Sequence, residues 1–180
     1  VRMQPTRVMR FKVEKNVPVV LEKRVSIVTS RDVEVPSSVG LKIIKDSGVT
    51  SWDVLFEHSA SAWQKLWETS DVEIVSNDDA QLMTRFSIYQ LLIAGPQHDE
   101  QVNIGAKTLS GYGYRGHSFW DTEIFMLPFF SFTQPHIAKN LMSYRFHRLP
   151  GARNKASANG FEGAQFPWES AATGEEVTPK

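Results

Sequence analysis

The 180-residue sequence contains no cysteine, which excludes a disulfide framework and a thiolate metal site and leaves the redox state of its compartment unreadable. It has no excess of either charge. Twenty Lys and Arg balance twenty Asp and Glu, so there is no electrostatic footprint for nucleic acid or an anionic membrane. No run approaches the roughly eighteen apolar residues that a membrane-crossing helix needs. The opening Val1-Arg2-Met3-Gln4 lacks the basic, apolar and small-residue zones of a secretory signal. The five histidines, His58, His98, His117, His136 and His147, make no ligand pair of the His-x-x-x-His kind, so no metal is expected. Gly111, Gly113 and Gly116 reproduce a dinucleotide fingerprint's spacing, but Ser110 stands where a strand must precede it, and no cofactor is expected.

What is present is ordinary in proportion and uneven in pattern. Hydrophobic residues make up 41% and charged residues 22%, enough for one cored domain or parts of two. Two basic clusters, Lys15 to Arg24 and Arg145 to Lys155, are interleaved with apolar residues and read as solvated faces. Residues 8 to 35 favour β structure: Val8, Phe11, Val13, Val19 to Leu21 and Val25 to Val28 form strand-length runs punctuated by Pro18 and Pro36. Beyond Ser37 the period lengthens toward 3.6. Trp52, Leu55, Phe56, Trp63, Leu66 and Trp67 mark one helix with Thr50 or Ser51 as its cap. A second helix is predicted from near Asn77 to Ala94, with Leu82, Phe86, Tyr89 and Ile93 on one face and Gly95-Pro96 as its stop. The glycine-rich stretch from Pro96 to His117 is too long for a plain connector and reads as functional. Helical character returns over Phe119 to Phe130. A helix opening at Gln134-Pro135 carries Ile137, Leu141 and Tyr144 inward, and a last one covers Gly151 to Asn159. Strands followed by helices predict separate domains, divided around Val35 to Gly40. Helical pairs joined by long glycine-rich loops suit a helical barrel. Val1 is not an initiator Met, and the chain stops directly after a motif-dense stretch, so a segment of a longer polypeptide is expected, prone to self-association in isolation.

Two stretches carry chemistry. Within Tyr114-Arg115-Gly116-His117-Ser118-Phe119-Trp120-Asp121-Thr122-Glu123, a Trp face can pack on the C–H face of a pyranose and the adjacent carboxylate can accept two hydroxyl donors. Adjacent positions at a helix start could direct both into one hollow. A core Trp beside a capping Asp fits the same letters. In Gly160-Phe161-Glu162-Gly163-Ala164-Gln165-Phe166-Pro167-Trp168-Glu169-Ser170, Trp168 offers a second platform, and a Pro-Trp turn packed on a helix end is the plainer account. Asp121 and Glu123, two apart, diverge on a helix, and no pair of carboxylates declares itself as the acid and base of glycoside cleavage.

These stretches resemble glycoside hydrolase family 65. The Tyr114 to Glu123 segment looks like the one lining the family's site for the transferred glucose. Asn103-Ile104-Gly105-Ala106-Lys107-Thr108-Leu109-Ser110-Gly111 precedes it, with Tyr144-Arg145-Phe146-His147-Arg148-Leu149-Pro150-Gly151-Ala152-Arg153 and Gly163 to Ser170 following in order. The resemblance implies a mainly α fold. Residues 1–35 would be the last strands of an N-terminal β-sandwich, 36–70 a helical linker, and 71–180 the first part of an (α/α)6 catalytic barrel. It implies an inverting phosphorylase that cleaves an α-linked glucose disaccharide with inorganic phosphate as co-substrate, giving β-glucose 1-phosphate and glucose. The loop around Trp168 is closer to members acting on kojibiose than on maltose or trehalose. A hydrolase of the same family is the alternative, and a non-catalytic sugar-binding fragment a third. By motif match, Trp120 and Asp121 would hold the glucose, Arg115 and His117 would shape its pocket, and Trp168 and Glu169 would meet the second sugar. The general acid Glu and the phosphate site are expected beyond Lys180, so this chain holds no catalytic residue and alone should be inactive. A homodimeric cytoplasmic parent enzyme, with no nucleic-acid or membrane partner, completes the expectation.

Overall fold

A computed structural model of the protein describes residues 8–108, 110–111 and 113–179. The opening residues and Leu109 of the loop motif lie outside it. The chain falls into two compact units, Val1–Glu57 and His58–Lys180, and its regular structure is mainly helical.

In the first unit, residues 8–35 form no strand among the described residues. The sequence favours β structure there, but a strand exists only against a partner that takes its N–H and C=O groups. Val8, Val13, Val20 and Ile27 all stand exposed on this stretch. It closes with a turn in which Asp32 Oδ2 accepts from the Thr29 N–H at 2.7 Å and from the Thr29 hydroxyl at 2.8 Å. Helix α1 (Pro36–Ser47) follows, with Pro in its first turn, where the missing N–H costs nothing.

Helix α2 (Trp52–Ser70) begins within the residues of the first unit, with Ser51 Oγ accepting from the Val54 N–H at 3.4 Å. The second unit is built on helices whose limits follow local chemistry. Helix α3 (Asp78–Ala94) is capped by Asn77 Oδ1, which accepts from the Ala80 N–H at 3.0 Å, and Asp78 and Asp79 sit at its positive end. The face marked by the sequence period points outward, however. Leu82, Phe86, Tyr89 and Ile93 are exposed, whereas Ile88 and Leu92 are buried. The helix is apolar on more than one side, so period alone cannot choose between stripes.

A short 3-10 turn (Gly113–Gly116) leads into strand β1 (Ser118–Phe119). The helical character foreseen from Phe119 therefore starts later, with a π-helical turn over Thr122–Met126 in which the Leu127 N–H donates to the Thr122 carbonyl five residues back. Helices α4 (Leu127–Thr133), α5 (Pro135–His147) and α6 (Leu149–Ala158) follow, and strand β2 (Glu169–Ser170) returns to pair with β1. The core lies where α5 meets α4 and the end of α3: Phe130, Ile137, Leu141 and Ile104 are buried together. Gln134, at the break between α4 and α5, is itself buried, and its Nε2 donates to Thr69 Oγ1 at 2.8 Å and Ser70 Oγ at 3.1 Å. The basic stretch read as a solvated face is not one at its start. Arg145 is only 7% exposed, because it follows Ile137 and Leu141 at intervals of four on the buried stripe of α5.

Two expectations follow. A Cβ on Gly95 would lie 2.9 Å from Phe130 Cε1 and 3.0 Å from Ile137 Cγ2, so Gly95→Ala should cost about 1–3 kcal/mol by overpacking, outweighing the roughly 0.4–1 kcal/mol gained from a stiffer unfolded chain; urea unfolding checks this. The exposed pair joining α2 to α3, in which Arg85 donates to both oxygens of Asp71 at 2.9 and 2.5 Å, holds the Asp71 carboxyl below its ordinary value through that hydrogen bond. A depressed carboxyl contributes stability above its unfolded pKa and loses it as pH falls through the folded one. The acid limb of the unfolding midpoint should therefore flatten slightly in Asp71→Asn, and less so at high salt.

Candidate functional site

The two motif stretches meet through the β1–β2 pairing, with Ser118 opposite Ser170 and Phe119 opposite Glu169. Single bridges from Gly105 to Ser118 and from Ser170 to Glu176 widen the junction on both sides. The approach to β1 is strained. Tyr114 and Arg115, with φ of 57° and 52°, adopt the left-handed conformation before Gly116 at 76°, a cost of order 1 kcal/mol for each non-glycine residue. The turn brings the Tyr114 ring edge-on to Phe119, with centroids 5.2 Å apart. Phe119 in turn meets Trp168 at 5.8 Å, and Trp168 meets Trp120 at 4.9 Å, both nearly perpendicular. Such edge-to-face pairs are worth roughly 0.5–1.5 kcal/mol each beyond burial, and together they lock the Trp168 loop against the residues following β1.

At the same junction, His117 Nδ1 lies 2.7 Å from Glu169 Oε1. Glu169 is buried, and its backbone is fixed by the Val177 N–H donating to its carbonyl at 3.0 Å. Nearby Glu176 is pushed up by burial, yet hydrogen bonds from Lys155 and Thr178 hold its carboxyl below the ordinary value.

Two hollows flank the rings. One, of about 380 Å³, is lined by Lys107, Tyr114, Phe119, Asp121 and Trp168 among others. The second, of about 560 Å³, is lined by Trp120, Glu123, Arg145, Phe166 and Trp168, with Met142, Lys155 and Gln165. Trp168 forms a wall of both. Trp120 and Asp121, expected from the sequence to face one hollow, line different hollows among the described residues. Successive residues on a helical path project about 100° apart, so adjacency at this turn sends the indole one way and the carboxylate the other. Neither has the plainer role either. Trp120 remains 41% exposed, and Asp121 makes no capping bond. Asp121 Oδ2 is buried without a hydrogen-bond partner among the described residues, a condition that native structures rarely tolerate unless a ligand or water completes it.

Of the six residues singled out, the fold thus gathers Trp120, Asp121, His117, Trp168 and Glu169 around one junction. Arg115 is exposed and lines neither hollow. Sequence reasoning gave no individual role to Tyr114, Glu123 or Arg145, although all three lie in its motif stretches. For Arg145 the signal existed, in its four-residue interval from Leu141. For Tyr114 none did, since its placement depends on a strained turn. Among the described residues no group of three His, Asp or Glu side chains could hold a metal ion, and no helix is long and apolar enough to cross a membrane.

The comparisons are consistent along the chain. The family model for the glycosyl hydrolase family 65 central catalytic domain matches residues 85–180, and that for the family's N-terminal domain matches residues 2–66. A kojibiose phosphorylase of Halothermothrix orenii is 44% identical over 94% of this chain. A kojibiose hydrolase of Flavobacterium johnsoniae is 35% identical over 86%. The chain spans 23% and 22% of the length of these two relatives. A solved human-microbiome structure assigned as a kojibiose phosphorylase superposes with a TM-score of 0.71 at 30% identity, covering 78% of this chain and 20% of that one.

One expectation concerns the junction itself. His117→Ala removes the ring partner of a buried Glu169 carboxylate, which should cost about 1–3 kcal/mol. Denaturant unfolding should show a lowered midpoint, and near-ultraviolet circular dichroism should weaken as the Trp120–Trp168 contact loosens.

Proposed function

Because the chain belongs to glycosyl hydrolase family 65, we propose that it is the substrate-holding segment of an inverting disaccharide phosphorylase that converts an α-linked glucose disaccharide of the kojibiose type, with phosphate, into β-glucose 1-phosphate and glucose. The observation that carries this reading is the buried, unpartnered Asp121 Oδ2 at the wall of a hollow it shares with Trp168. A carboxylate oxygen in that position is completed by sugar hydroxyls, and an indole beside it covers the apolar ring face. Because Asp121 and Trp120 line different hollows, in this reading Asp121 with Trp168 holds the glucose whose bond breaks. Trp120 with the other side of Trp168 meets the second sugar, and the buried Glu169 fixes the Trp168 loop. His117 orients Glu169, and Arg115 has at most an outer role. Residues 1–35 are assigned to the sandwich, 36–70 to the linker and 71–180 to the barrel. The central-domain match over 85–180 supports the last, whereas the N-terminal-domain match runs on to residue 66, past the first boundary.

The chemistry asks little of this segment beyond holding. Phosphate is already an anionic nucleophile, so no general base is required to activate water, and one protonated carboxyl suffices for the leaving oxygen. That acid and the phosphate site belong to barrel segments after Lys180, which leaves residues 1–180 to bind, orient and exclude water. A charged sugar phosphate does not cross a membrane unaided, which favours a cytoplasmic enzyme, and a homodimer remains the proposed assembly.

Hydrolysis is the second reading, favoured by the similarity to a kojibiose hydrolase. The full-length enzyme separates the two. With kojibiose, glucose release should require phosphate and yield one β-glucose 1-phosphate per glucose, whereas glucose release at the same rate without phosphate would overturn phosphorolysis. Asp121→Asn should lower kcat/KM by about 10- to 100-fold, the loss of a charge-assisted bond or two.

A further inference from the structure

From the geometry around α5 we infer that Arg145 is the positioning residue of the sugar-holding turn, fixing Trp120 and Asp121 from both sides. The inference rests on the reading of those two residues given above.

A single guanidinium nitrogen makes the clamp. Arg145 Nη2 donates to the Phe119 carbonyl at 2.9 Å, immediately before Trp120, and to Glu123 Oε2 at 2.6 Å, two residues after Asp121. The Trp120–Asp121–Thr122 stretch is therefore suspended between two attachments to one side chain. Glu123 is held in turn by Asn103 Nδ2, which donates to its other oxygen at 3.2 Å, and its N–H donates to the Trp120 carbonyl at 3.1 Å. The stretch needs such fixing. It runs from β1 into a π-helical turn, a conformation that is rare and often found at functional positions. No side-chain cap holds its start.

The guanidinium is itself immobilised. It lies 5.5 Å from the centroid of the Tyr144 ring and 5.8 Å from that of Phe166. Tyr144 belongs to the buried stripe of α5, and Phe166 lies in the loop that carries Trp168. Arg145 thus ties together α5, the turn bearing Trp120 and Asp121, and the loop bearing Trp168. An ammonium could keep the charge but not the broad contact that a guanidinium makes with two rings. At only 7% exposure, Arg145 shows no more than an edge to the hollow that Trp120 lines, and both of its hydrogen bonds go to the turn.

The test uses the full-length enzyme carrying Arg145→Met, Arg145→Lys, Glu123→Gln and, as reference, Asp121→Asn. Each variant is assayed for kcat and KM with kojibiose and phosphate, and for Kd of β-glucose 1-phosphate by tryptophan fluorescence. Folded protein is selected by gel filtration and circular dichroism. Arg145→Met should raise KM and Kd together and lower kcat/KM by on the order of 10- to 100-fold. Glu123→Gln should fall in between, and Arg145→Lys should recover part of the loss. Should Arg145→Met not fold, Glu123→Gln, which leaves the Phe119 bond intact, carries the decision through its KM and Kd. Folded Arg145→Met or Glu123→Gln with KM and Kd within twofold of the parent, while Asp121→Asn is impaired, overturns the inference alone. An unimpaired Asp121→Asn overturns the reading of the site beneath it.

Discussion

A ladder of two residues on each strand joins residue 118 to residue 170, and everything proposed for this protein depends on that register. So short an antiparallel pair is not stable by itself. Its strength comes from what the register places side by side. With Phe119 opposite Glu169, the Trp168 ring falls against Phe119 and Trp120, and the Glu169 carboxylate reaches the His117 ring. Slipping the pairing by one residue would turn each of these side chains to the other face. The aromatic contacts and the His117–Glu169 bond therefore specify the register as much as they are produced by it.

The register also explains why Trp168 occupies a central place. Trp120 and Asp121 leave the turn in different directions and line different hollows, whereas Trp168 borders both. An indole between two sugar-sized spaces can present one face to each. On the proposed reading, a disaccharide is then gripped by a shared wall, with Asp121 on one side and Trp120 on the other. The turn at Tyr114 and Arg115, both left-handed, carries the Tyr114 ring edge-on to Phe119 on the same side of the junction as Trp168 in the first hollow.

Much of this was legible in the sequence, and the remainder was hidden for identifiable reasons. The limits of α3 and α5 follow from Asn77, Gly95 and Pro135, and the inward residues of α5 from their spacing. The two motif stretches were visible as clusters, and so was their resemblance to one family. Their meeting was not, because pairing between segments some fifty residues apart leaves no local signature. The outward face of α3 was hidden because an apolar helix offers several stripes, and only tertiary context selects one. Residues 8–35 have strand-like composition, but composition cannot supply the partner that makes a strand. Arg145 was misjudged because charge was weighed before position, although its interval from Leu141 places it on the buried side.

That misjudgement bears on why the residue is there. A buried ion pair is a poor source of stability: removing two charges from water costs several kcal/mol per ion, and apolar residues of similar volume often do as well or better. Stability alone would thus favour a Met or Leu at the end of the Ile137–Leu141 stripe. What an apolar side chain cannot do is hold a backbone carbonyl and a carboxylate at fixed distances from one atom. The Arg145–Glu123 pair makes sense as a device for geometry, accepted at some expense in stability because the turn between its two attachments must be held in one conformation.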